Sequence, residues 1–120
     1  MERFIKSIGY ALKGWAFFFG KEKNGQLHLA AAFIVILFGF ILHISTTEWQ
    51  SILLCIALVL TLEMMNSALE KFIDLLHPAQ HEQIKWVKDV AAGAVLLSSI
   101  ISAVIGIIIF SPKIFIFLHK

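Results

Sequence analysis

The chain reads as four stretches of helical period, three of them apolar enough to cross a bilayer. In 1–19, Phe4, Ile5, Ile8, Leu12, Trp15 and Phe19 recur at helical spacing against Arg3, Lys6, Ser7 and Lys13, the pattern of an amphipathic helix lying in the headgroup plane. Residues 20–26 are a polar break whose glycines, Gly20 and Gly25, predict a turn. Residues 27–44 are then apolar, roughly 27 Å of helix and enough to span hydrocarbon. A short connection over 43–48 leads to a second helix predicted over 49–76, which His77-Pro78 should close because the residue before a proline is driven out of the helical region. A polar connection over 78–88 precedes a third helix predicted over 89–110, with an interfacial tail past Ser111-Pro112. The expected architecture is one all-α membrane domain, 1–120, with an N-terminal amphipathic surface helix and three transmembrane helices.

The second long helix departs from this pattern. Glu63, Asn66, Glu70 and Asp74 interrupt an oily segment, and at a helical period they fall within about 80° of one another, so they share one face. Ionisable groups in a membrane segment face a protein interior or a wet cavity and mark function. Glu63 lies deepest among apolar neighbours, which suits a general base or a proton relay. Three helices can hardly shield such a stripe from lipid, so a neighbouring chain is expected to cover part of it. In the third helix Ala91, Ala92, Gly93, Ala94, Ser98, Ser99, Ser102, Ala103 and Gly106 suit close helix packing; a cavity for a lipid chain fits the same residues.

Composition sharpens the class. Hydrophobic residues make up 59% and charged ones 15%, with a mean hydropathy of +0.87, far from soluble averages. A net charge of +2 from 10 basic and 8 acidic residues gives no basic field for nucleic acid. Cys55 is the one cysteine, which leaves no intrachain disulfide, and its apolar setting suggests a buried small hydrophobe. The N-terminus lacks the features of a secretory signal, so the chain is expected to be mature as it stands. Five Lys and Arg precede the first span, none lies in the first connection, three (Lys71, Lys85, Lys88) flank the second and two lie near the C-terminus. The positive-inside rule then puts the N-terminus and the second connection in the cytoplasm, with Glu22, Glu70, Lys88 and Asp89 on the side where ATP is.

The chemistry open to these groups follows. Carboxylates at Glu22, Glu63 and Glu70, with Asn66, are hard oxygen donors of the kind Mg²⁺ takes when it also binds substrate phosphates. The plain alternative is that Glu70 and Asp74 are solvated charges at a helix end. Lys88-Asp89 reads either as a helix start with a headgroup anchor, or as a lysine holding nucleotide phosphates with an aspartate orienting it or the nucleotide. His28 and His43, at the two ends of the first span, read as interfacial residues. His77 and His81 lack a third ligand for zinc. No phosphate-binding glycine loop of the P-loop type and no protein-kinase signature occurs, so phosphoryl transfer would need another scaffold.

Glu63-Met64-Met65-Asn66-Ser67-Ala68-Leu69-Glu70 with Asp74, and then Val87-Lys88-Asp89-Val90-Ala91-Ala92-Gly93-Ala94-Val95, closely resemble the prokaryotic integral-membrane diacylglycerol kinase family. Arg3, Gly9-Tyr10, Lys13-Gly14 and the order of the apolar runs extend the resemblance over nearly the whole chain. It implies a homotrimeric, ATP- and Mg²⁺-dependent kinase of a membrane lipid alcohol, in the cytoplasmic membrane of a bacterium, with active sites between subunits. Carried over residue by residue, it implies Glu63 as proton acceptor, Asn66 as a polar active-site residue, and Glu22 and Glu70 as carboxylates binding Mg²⁺ with ATP. Arg3, Tyr10, Ala79, Gln80, His81, Lys88 and Asp89 correspond to nucleotide-contacting positions. The segment from Glu22 to His28 and the run Ala91–Val95 look more like the undecaprenol kinase branch than the diacylglycerol kinases. Two readings of other classes stand beside it: a small transporter or proton-relay subunit built on Glu63, and a non-catalytic subunit built on small-residue packing.

Overall fold

Helix follows helix with very little chain between. A computed structural model describes residues 1–76 and 82–120 as α1 (Glu2–Lys21), α2 (Lys23–Ile41), α3 (Thr46–Leu76) and α4 (Glu82–Leu118). The last three are each long and apolar enough to cross a membrane. Helix α1 packs on α2, α2 on α3, and α3 along α4. The closure expected at His77-Pro78 lies outside the described residues.

The break expected over 20–26 contracts to one residue. Glu22 alone is extended (φ −84°, ψ 123°), and it serves both helices: its N–H donates to Phe18 O (3.1 Å) and its carbonyl accepts from Gln26 N (3.0 Å). Lys, Glu and Gln are good helix formers, so a polar segment here need not be a loop. The amide of Gln26 donates back to Gly20 O at 3.0 Å, satisfying a carbonyl that the end of α1 leaves open. Gly25 lies against Phe18 of α1; a Cβ there would lie 2.7 Å from Phe18 O.

At its other end α2 stops at Ile41 rather than 44. Ile44 N donates to Gly39 O (3.2 Å) and His43 N to Phe40 O (3.4 Å), while His43 takes a left-handed φ of 53°, the bond pattern of a Schellman cap. Ser45 and Glu48 then open α3 with a reciprocal capping box: Ser45 N–H donates to the Glu48 carboxylate (2.9 Å) and Glu48 N–H to Ser45 Oγ (3.2 Å). Lys113 of α4 reaches the same carboxylate at 3.1 Å. Ile44, Ile52 and Ile109 form the buried core at this end, with Val35, Trp49, Ile56, Ile105 and Phe110 packed against them.

Helix α4 is longer than 89–110 at both ends. It begins at Glu82 and continues through Pro112 to Leu118, about 55 Å of helix against a hydrocarbon layer of about 30 Å. Proline removes one donor from the ladder without forbidding helix on either side when the freed groups find other partners.

Candidate active site

Glu63 is the buried member of the polar stripe on α3, 4% exposed. Ser98, at the same level of α4, is also buried, but its hydroxyl donates to Val95 O of its own helix at 2.8 Å. The group that meets the carboxylate comes from α2: His28 Nε2 lies 3.7 Å from Glu63 Oε2. His28 is therefore not simply an interfacial residue. The order of the elements held a coarser signal: the short connection over 42–45 makes α2 and α3 neighbours running in opposite directions, so the start of α2 lies along the C-terminal half of α3.

The imidazole also stands at the head of a groove of about 490 Å³ between α2, α3 and α4, whose lining includes Ala32, Ile52, Cys55, Ser102, Gly106 and Phe110. The small residues of α4 thus leave room beside the packed core rather than only a tight seam. Cys55 is half-buried in this lining, in keeping with a small hydrophobe.

Towards the C-terminal end of α3, Asn66 Nδ2 donates to Glu70 Oε1 at 3.3 Å. Its Oδ1 is buried without a hydrogen-bond partner among the described residues, an acceptor that costs stability while unmet. Lys71 Nζ is 2.6 Å from Glu22 Oε1, so the single-residue break between α1 and α2 brings its carboxylate to the turn of α3 that carries Glu70. Within one chain Glu22 thus reaches the residue next to Glu70 in sequence. Glu70 and Lys71 each have a partner, but both are exposed, as the plain reading of solvated charges at a helix end expects.

Lys88 and Asp89 do not start a helix. They lie in the second turn of α4, which begins at Glu82, and they do not form a pair with each other. Lys88 Nζ contacts Asp74 Oδ1 at 2.6 Å, and Asp89 accepts from Lys85 at 2.7 Å, one turn away. Asp74, rather than Asp89, orients the lysine. Arg3 and Tyr10 are exposed on α1, roughly 28 and 18 Å along the helix from Glu22, and have no side-chain hydrogen bond or ion pair among the described residues. Ala79, Gln80, His81 and the other loop histidine, His77, lie outside the described residues.

The sequence profile of the family described as prokaryotic diacylglycerol kinase matches residues 9–110. The chain belongs to that family. It is similar to the undecaprenol kinase of Bacillus subtilis, 41% identical over 94% of this chain and 92% of that protein. It is also similar to two proteins named diacylglycerol kinase. One, from Synechocystis, is 35% identical over 85% of this chain and 59% of that protein; the other, from Escherichia coli, is 26% identical over 85% and 84%. Members of this family are lipid kinases, and three membrane-crossing helices suit an enzyme whose acceptor stays in the bilayer.

Proposed function

We propose that the chain phosphorylates the hydroxyl of a membrane lipid alcohol, most specifically undecaprenol, using ATP. The observation that carries the reading is a buried carboxylate, Glu63, beside His28, which lines an apolar groove, in a chain of this family. The similarity to an undecaprenol kinase over 94% of the chain favours the polyprenyl alcohol; relatives named diacylglycerol kinase make diacylglycerol the alternative acceptor.

In this reading the lipid lies along the groove with its hydroxyl beside Glu63. Glu63 accepts the hydroxyl proton as the alcohol oxygen attacks the γ-phosphorus and ADP leaves. Phosphoryl transfer is mostly positioning and charge neutralisation, so the remaining residues hold phosphate rather than react. Lys88 is the point charge for it, released from Asp74, and Asp89, Arg3, Tyr10 and the 79–81 segment are the further nucleotide contacts. Among the described residues no three His, Cys, Asp or Glu side chains gather into a metal cage. Mg²⁺ does not require one when phosphates complete its shell, and Glu70, the unmet oxygen of Asn66 one turn before it, and Glu22 on the neighbouring Lys71 are a suitable donor set. When bound there, Mg²⁺ would neutralise phosphate charge.

Support for orientation comes from the lysines. Lys71, Lys85 and Lys88 gather at the end that Glu22 shares, against Lys113 near the far end; all four have a carboxylate partner, so the asymmetry is in the number of cations. We accordingly assign the N-terminus and the site to the cytoplasmic face of a bacterial inner membrane, with α1 lying on the surface and the protein a homotrimer with sites between subunits.

Purified protein in mixed micelles with labelled ATP and Mg²⁺ should label undecaprenol more than diacylglycerol. Label on neither lipid would reject the kinase, and the reverse preference would reassign the substrate. Glu63→Gln should keep its helical content and lose at least about 100-fold in turnover, the scale of a positioned base; near-normal turnover would remove Glu63 from that role.

A further inference from the structure

The proposed mechanism leaves His28 without a task, although its Nε2 lies 3.7 Å from the Glu63 carboxylate. Its side chain is 27% exposed against 5% for that of Glu63, and it contributes to the groove wall. One part of the ring therefore meets the carboxylate while another borders the space assigned to the lipid alcohol. Among the described residues no other side chain of basic type comes within 4.0 Å of Glu63, whose carboxylate has no side-chain hydrogen bond. Without a partner, three side-chain torsions leave a carboxylate several rotamers in which it points away from a substrate. Proton transfer demands that it lie within hydrogen-bond reach of the hydroxyl.

We propose that His28 is a positioning residue for phosphoryl transfer, its imidazole holding the Glu63 carboxylate toward the head of the groove where the acceptor hydroxyl enters. The inference rests on the reading of Glu63 as base. Imidazole suits the place better than an ammonium would: either ring nitrogen can donate, and the flat ring leaves an apolar face against a lipid chain. The 3.7 Å separation is longer than a hydrogen bond. Catalytic contacts of this kind are often long before substrate binds and shorten in the productive complex.

The test is a double-mutant cycle in mixed micelles with the preferred lipid, following kcat and both KM values for the wild type, His28→Ala, Glu63→Gln and the double variant. His28→Ala should lower kcat by at least about 10-fold, as misplacement of a reacting group does, and leave KM for ATP unchanged. His28→Gln, which keeps a neutral donor, should recover part of the loss. In the Glu63→Gln background His28→Ala should add no further loss, because a residue that acts through Glu63 has nothing left to act on. Equal losses in both backgrounds, a loss confined to KM for ATP, or an unimpaired His28→Ala beside an inactive Glu63→Gln would each overturn the inference. Helical content and detergent melting identify a misfolded variant; if His28→Ala fails to fold, His28→Gln compared with His28→Leu decides, and equal activity of those two overturns the inference. A wild type that labels no lipid rejects the kinase reading and the inference with it, whereas an active wild type with an unimpaired His28→Ala rejects only the inference.

Discussion

His43 holds a φ of 53°, where an L side chain crowds the following carbonyl at a cost of about 1–2 kcal/mol. Glycine has no such cost and is the usual residue at this position of a helix cap. His43→Gly should therefore raise stability by about 1 kcal/mol, read as a higher midpoint of denaturant unfolding in detergent. An unchanged or lowered midpoint would mean that the imidazole contributes as much as the backbone loses. The residue scale also shows what was legible in the chain. Glu63 stood out because a carboxylate among apolar residues needs a reason, and it is the buried one. The partners of Glu22, Lys88 and Asp89 did not stand out: whether Lys71, Asp74 or Lys85 meets them depends on how each helix is rotated about its axis, which a charge pattern leaves open. The cap at His43 was hidden by the absence of glycine, whereas the Ser45–Glu48 box was plainly spelled and only needed to be read as a helix start.

Among the elements, the α1–α2 junction carries the clearest steric demand. A Cβ on Gly25 would lie 2.7 Å from the Phe18 carbonyl and 2.9 Å from its ring. The carbonyl is backbone and cannot rotate aside as a side chain can. Gly25→Ala should therefore push α1 off α2 and destabilise the protein by about 1–3 kcal/mol, the usual scale of overpacking, and it should lower kinase activity by displacing Glu22. Wild-type melting and turnover in that variant would show that the two helices separate without consequence. Helix type and order were readable from periodicity throughout, because a long apolar run has few other solutions in lipid. The ends were less so. Polar composition suggested a loop over 20–26, yet the same residues are compatible with helix, and only Glu22 departs from it; likewise Pro112 suggested a boundary that α4 passes through.

For the molecule as a whole, the long helices bury only part of their surfaces. Leu54, Met65, Leu97 and Ile108 are among many large apolar side chains left uncovered, and a bilayer or further copies of the chain are what such surfaces suit. The proposed trimer predicts that amine- or carboxyl-directed cross-linking in a mild detergent yields species up to three chains and no larger; monomers alone would contradict it. The contact between Glu22 and Lys71 brings Glu22 to the C-terminal part of α3 of its own chain, which amino-acid order alone could not decide, while Arg3 and Tyr10, far along α1, are the residues a neighbouring copy would have to use. The one-residue junction has a mechanical side. With Glu22 as the sole extended position between two rigid rods, the pitch of α1 is governed by the same two torsions that aim its carboxylate. Helix α1 is thus a lever with its fulcrum in the site, so a force that tilts this arm, such as altered lipid packing, also re-aims Glu22, and whatever clamps Glu22 stiffens the arm.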